Sequence, residues 1–211
     1  MSKKIYIAVD VQNDFVSGAL GSDWAQEVAP KIVDFVKMIR ESDSDAPIIA
    51  TQDSHYLSND GYKIAYEHTL EGEKLPILHC VKNSVGWELV PGLSYNINSC
   101  ICKETFMSDE LPYTVDTIID KYARCAGHQI DEIVLFGFCT SICVISNALN
   151  LRGHFPNMKI TVLKNLCGDI NEESHNAALK VMENCQIDVT DSRIFTHNKL
   201  SPLNESVTSL G

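Results

Sequence analysis

The chain has 211 residues, 45% of them hydrophobic, and a formal net charge of −11. That length and apolar content suit one domain with a full core. The acidic balance speaks against a nucleic-acid partner or an anionic membrane surface, and no run approaches the roughly 20 apolar residues a membrane span requires.

Only the short run 5–9 separates Met1-Ser2-Lys3-Lys4 from Asp10. It is too short for the core of a signal peptide, which places the chain in the cytosol. The eight cysteines include no Cys-x-x-Cys pair. In a chain of this size without a secretion signal they are expected to be reduced thiols, not a disulfide framework or a zinc knuckle.

The run 5–9 reads as a first strand ending in Asp10, followed by Val11-Gln12-Asn13-Asp14-Phe15. Ligands of open α/β sheets bind at the carboxyl ends of strands, so Asp10 is a site candidate. The ordinary role of an Asp there is a turn or a helix cap. A helix follows over about 25–40, with Val28, Ile32, Phe35, Val36 and Ile39 on one face. The second strand, 48–51, leads into Gln52-Asp53-Ser54-His55. An Asp and a His two apart can turn toward one cation, and their oxygen and nitrogen suit Zn²⁺, Fe²⁺ or Mn²⁺. That spacing is also common in solvated loops. Glycines and prolines punctuate 58–98, so it reads as a long connection, which in a compact domain is usually functional. Within it His79 can complete a three-ligand set with Asp53 and His55. Glu67 and His68 are also near, with surface loop as their ordinary reading.

The third strand, 99–102, contains Cys100 and Cys102, read as core filler, and delivers Lys103 to the same edge as Asp10. A Lys closing a buried strand calls for a paired charge. The segment 113–126 looks helical, with Ile118, Ile119, Tyr122 and Ala123 as its apolar stripe. A fourth strand opens at Asp131 and stops at Gly137. Thr140 or Ser141 then caps a helix to about Leu151, which puts Cys143 near its first turn. Free N–H groups and the helix dipole favour a thiolate there, although a free Cys is most often a small buried hydrophobe. Strand 160–163, a helix led by Asp169, Glu172 and Glu173 to about 184, strand 187–190 and a polar tail, 199–211, complete the chain.

This alternation predicts an α/β, doubly wound, mainly parallel six-stranded sheet with helices on both faces. We expect one domain over 1–211, with its core at about 5–190. Asp10, Lys103 and Cys143 all stand at strand ends that converge on one crevice. There Lys103 favours the anionic forms of its two neighbours, and Asp10 can take the thiol proton.

With those residues in view, the chain resembles the isochorismatase-like cysteine hydrolases, and among them the nicotinamidases. The motifs that carry the resemblance are Asp10 to Phe15, Thr51 to His55, His79-Cys80-Val81-Lys82-Asn83 with Gly86-Trp87-Glu88-Leu89, Lys103-Glu104-Thr105-Phe106, and Gly137 to Val144. The resemblance implies a catalytic triad of Asp10, Lys103 and Cys143. It implies one divalent metal ion, Zn²⁺ first and Fe²⁺ or Mn²⁺ otherwise, on Asp53, His55, His79 and water. It also implies a cis peptide near Phe138–Cys139, with an oxyanion hole made by the backbone N–H groups of Cys139 and Cys143. The implied reaction converts nicotinamide and water to nicotinate and ammonia through a thioester, often in a homo-oligomer. Phe15 and Trp87 are candidate walls for a flat substrate, or core packing. Ser54 stands where many nicotinamidases carry an aromatic residue, and Phe106 to Leu111 departs from their usual segment after the Lys. Both departures fall on pocket walls. The alternatives are an N-carbamoyl or ureido amidase and a non-catalytic binding domain.

Overall fold

The computed structural model describes residues 3–59, 62–126 and 129–197. The tail expected at 199–211 lies outside them. Six strands, β1 (Lys3–Val9), β2 (Ile48–Asp53), β3 (Ser99–Lys103), β4 (Ile130–Gly137), β5 (Lys159–Cys167) and β6 (Asp188–Thr190), form one sheet in the order β3-β2-β1-β4-β5-β6. Every neighbouring pair is parallel. The helices are α1 (Asn13–Val16), α2 (Asp23–Ser42), α3 (Leu70–Lys74), α4 (Glu110–Ala126), α5 (Ile145–His154), α6 (Glu172–Asn184) and α7 (Ile194–His197).

The central strands are apolar at consecutive positions because both faces are covered. Ile5, Ile7 and Val9 of β1 and Ile133 to Phe136 of β4 are all fully buried. Helix α2 packs over β4 and β5, with Phe35 edge-on to Phe136 at 5.5 Å. Helices α4, α5 and α6 pack on one another and over β4, β5 and β6.

Several boundaries differ from the sequence reading for identifiable reasons. Helix α2 starts at Asp23 because Ser22 caps it, its side chain accepting from Ala25 N–H. Helix α4 starts at Glu110 because Pro112 is tolerated in a first turn, where Ser108 Oγ accepts from Leu111 N–H. The connection 58–98 carries α3 and two short 3₁₀ turns, Tyr66–His68 and Ser94–Asn96. The cysteines of β3 are a correction. Cys100 and Cys102 are exposed, while Ile101 and Lys103 are buried. β3 is an edge strand, so only its alternate residues face the interior.

Candidate active site

The strand order reverses between β1 and β4, and the crevice opens beyond their carboxyl ends. Gly137 ends β4 at φ 131°, where a Cβ would run into the Val9 carbonyl, so only glycine lets the two strand ends lie this close. Asp10 follows β1 at φ 49°, a left-handed conformation that costs a non-glycine residue on the order of 1 kcal/mol. It is held there by its neighbours. Thr51 Oγ donates to its Oδ1 at 2.7 Å, and its own N–H donates to the Thr51 carbonyl at 3.2 Å.

Lys103 closes β3 and reaches into the same place. Its Nζ lies 2.7 Å from Asp10 Oδ2, 3.6 Å from Asp53 Oδ1 and 3.5 Å from Cys143 Sγ. All four residues are buried. Burial disfavours the charge on Lys103, but Asp10, Cys143 and Asp53 outweigh it and hold the ammonium well above the usual lysine range. Burial raises Asp10 above the ordinary carboxylate range, with Lys103 pulling it back down.

Two features of the Cys143 turn differ from the sequence reading. Neither Thr140 nor Ser141 caps a helix. Thr140–Val144 forms a π-helical turn ahead of α5, and the two hydroxyls are engaged elsewhere. Nor is the thiol poised as an anion. Burial pushes it well above its ordinary range, Lys103 opposes, and the Asp10 and Asp53 carboxylates push it further up. The arrangement is a thiol beside a basic carboxylate. The Phe138–Cys139 peptide is cis. Among the described residues no carbonyl takes the Cys139 N–H.

Asp53, His55, His79 and Glu71 present four ligand atoms that all lie within 4.8 Å of one another. Asp53 Oδ2 is 3.1 Å from His55 Nε2 and 3.4 Å from His79 Nε2, and Glu71 Oε1 is 3.7 Å from each. His79 Nδ1 is 2.8 Å from the Ile77 carbonyl. A carbonyl can only accept, so that nitrogen carries the proton and Nε2 turns a lone pair to the cluster. This is the tautomer a metal-binding imidazole needs. Burial would raise Asp53, but Lys103 and the two imidazoles hold it well below the carboxylate range. Burial and the Asp53 charge raise Glu71. Two carboxylates and two imidazoles packed this closely suit a divalent first-row ion.

Glu71 escaped the sequence reading. It comes from α3, inside the stretch read as loop. Glu67 and His68, weighed there instead, are exposed and paired with each other at 3.7 Å. Two polar residues that follow β1, Gln12 before α1 and Asp14 within it, brace the site. Gln12 accepts from Asp53 N–H at 2.8 Å and donates to the Asp53 and Trp87 carbonyls at 2.9 and 2.8 Å. Asp14 Oδ2 accepts from Cys80 N–H at 2.7 Å, which anchors the segment carrying His79.

A cavity of about 440 Å³ adjoins both clusters, lined by Phe15, Asp53, His79, Phe138, Cys139 and Cys143 among others. Phe15 stands edge-on to His79 at 5.8 Å. Trp87 is not part of that lining. Its indole N–H donates to Ser54 Oγ at 2.8 Å, and its ring packs against the core. A half-buried indole needs such a partner, and Ser54 leaves room for it.

The isochorismatase domain model matches residues 4–194, and the chain belongs to that family. Among individual proteins, it is 28% identical to the nicotinamidase of Escherichia coli K12, over 87% of this chain and 91% of that one. In fold it is similar to the nicotinamidase/pyrazinamidase of Bacillus subtilis, with a TM-score of 0.71 at 24% identity, covering 90% of this chain and all of that one. A pyrazinamidase of Pyrococcus horikoshii, solved in complex with zinc, aligns with a TM-score of 0.68 at 22% identity, over 90% and 99% of the two chains.

Proposed function

We propose that this chain is a metal-containing cysteine amidohydrolase that converts nicotinamide and water to nicotinate and ammonia. The observation that carries the reading is Lys103 Nζ, buried within 2.7 Å of Asp10 and 3.5 Å of Cys143. A buried Asp-Lys-Cys set has little value to stability, because well-packed apolar residues serve as well or better. The related nicotinamidase supplies the substrate.

Asp10 takes the thiol proton as Cys143 Sγ attacks the carboxamide carbon. The backbone N–H groups of Cys139 and Cys143 receive the charge that develops on the carboxamide oxygen. Lys103 keeps its ammonium beside both reacting groups. Asp10 returns the proton to the departing nitrogen, and ammonia leaves a thioester on Cys143. A water molecule then attacks the thioester with Asp10 as its base, which frees nicotinate and the thiol. Phe15 and Phe138 flank the ring in the cavity. Asp53, His55, His79 and Glu71 hold the metal ion, which when bound supplies positive charge and Lewis acidity beside the substrate. The zinc complex of the structurally similar pyrazinamidase supports Zn²⁺ as that ion. A cytosolic setting and a homo-oligomeric state belong to the same reading.

A panel of nicotinamide, pyrazinamide and N-carbamoyl compounds, assayed for ammonia with and without a chelator, tests it. Nicotinamide is expected to be hydrolysed, the chelator to stop the reaction and Zn²⁺ to restore it. Cys143→Ala is expected to lower kcat by about a thousandfold or more. Turnover confined to the carbamoyl compounds would replace the proposed substrate with the ureido class.

A further inference from the structure

Asp169 is a buried ionisable group that the reaction above leaves unused, and it is bonded directly to the turn that carries the nucleophile. It is 4% exposed, lies in the loop between β5 and α6, and borders the same cavity as Cys143. Its carboxylate is fully engaged. Oδ2 accepts from Ser141 N–H at 2.8 Å, and Oδ1 accepts from Ser141 Oγ and from Ile170 N–H, both at 2.8 Å.

The neighbouring residue extends the grip. The Gly168 carbonyl accepts from Thr140 N–H at 2.9 Å and from Thr140 Oγ at 3.0 Å, while Gly168 N–H donates to the Gly137 carbonyl at 3.2 Å. Thr140 Oγ is also 2.8 Å from His175 Nδ1, and that ring lies 4.9 Å from Trp24. The loop after β5 thus clamps 137–141 from one side. Cys143 comes two residues after Ser141, within the π-helical turn. Such a turn lacks the regular i→i−4 ladder of an α-helix, so its position depends more on outside contacts. Charge-assisted hydrogen bonds donated to a buried carboxylate are strong ones to hold it with.

We infer that Asp169 is a positioning residue. Through Ser141 it fixes where Cys143 Sγ meets the substrate, and it makes no contact with the reacting atoms. The inference rests on the reading of Cys143 as the nucleophile. A misplacement of about 1 Å at a reacting centre costs about 100-fold in rate, so the effect belongs in kcat.

The test is kinetic, with a second measurement that needs no amide hydrolysis. Asp169→Ala is expected to lower kcat about 100-fold with KM changed less than about threefold. Asp169→Asn keeps an acceptor for Ser141 N–H and a donor for its hydroxyl while giving up the bond from Ile170 N–H, and is expected to recover kcat to within about tenfold of the parent. Ser141→Ala, which removes one arm of the clamp, is expected to fall between the two. Iodoacetamide inactivation of Cys143 at one fixed pH is expected to slow in the same order. A kcat for Asp169→Ala within twofold of the parent overturns the inference. So does a KM rise at constant kcat, which would make Asp169 a substrate contact, and so do equal alkylation rates across the set. If Asp169→Ala does not fold, Ser141→Ala decides: a kcat and an alkylation rate both within twofold of the parent overturn the inference, and a loss in both upholds it. If nicotinamide is not a substrate but the alkylation order holds, the proposed reaction fails and the positioning role stands.

Discussion

Lys103 is the residue on which the centre turns, since one buried ammonium answers Asp10, Asp53 and Cys143. Lys103→Met keeps the apolar stem and removes the charge, which leaves two carboxylates buried without their cation. Breaking a buried pair in this way costs about 3–5 kcal/mol. Urea unfolding is expected to show that loss, and amide hydrolysis is expected to disappear with it. Asp10, Lys103 and Cys143 were legible in the sequence for one reason: each directly follows a strand end or its turn, and such ends converge. Glu71 was not legible, because a short helix inside a long connection brings it in and no strand marks its position. Asp169 read only as the leader of a helix, since nothing local signals that a carboxylate will reach back to another turn. The anionic thiol expected from a helix dipole was likewise out of reach of the sequence, which does not disclose that Cys143 is 4% exposed and boxed in by carboxylates.

At the level of elements, the helices and strands follow the apolar periodicity closely, and α6 runs over the residues expected of it. The errors lie where an element's place in the sheet matters. The strand holding Cys100 and Cys102 was recognised, but its position at the border was not, and that position decides which faces are covered. The connections between elements do much of the positioning. Gln12 ties the end of β1 to the backbone of Asp53 and to Trp87 through three hydrogen bonds. Outer partners of this kind orient a metal ligand, and their loss costs about 10–100-fold in metal affinity. Gln12→Met is expected to weaken zinc binding by that factor, measured by competition with a chromophoric chelator. An unchanged affinity would leave Gln12 as a loop brace and nothing more.

For the whole molecule, alkaline pH offers a readout of the core remote from the crevice. Tyr6 is buried between Phe35 and Phe195, with ring centroids at 6.1 and 6.2 Å. Burial, assisted by the nearby Asp43 charge, raises its phenol from the ordinary 10.0 to about 12. A folded-state value above the unfolded one means the native state holds the proton more tightly. The stability this contributes is complete below pH 10 and is lost as pH climbs to about 12, by about 2–3 kcal/mol. Tyr6→Phe cannot ionise, so its stability is expected to stay flatter than the parent's between pH 10 and 12 in urea titrations. That measurement concerns the fold alone and is independent of any activity.

The solvent-facing sulfurs of β3 bear on how the protein is handled. Two thiols stand on one border of the sheet, outside the interior that shelters Cys80, Cys143 and Cys167. In aerated concentrated stocks they, together with the exposed Cys125 of α4, are open to oxidative cross-linking between molecules. Purification therefore calls for a reductant, even though none of the chemistry in the crevice asks for one.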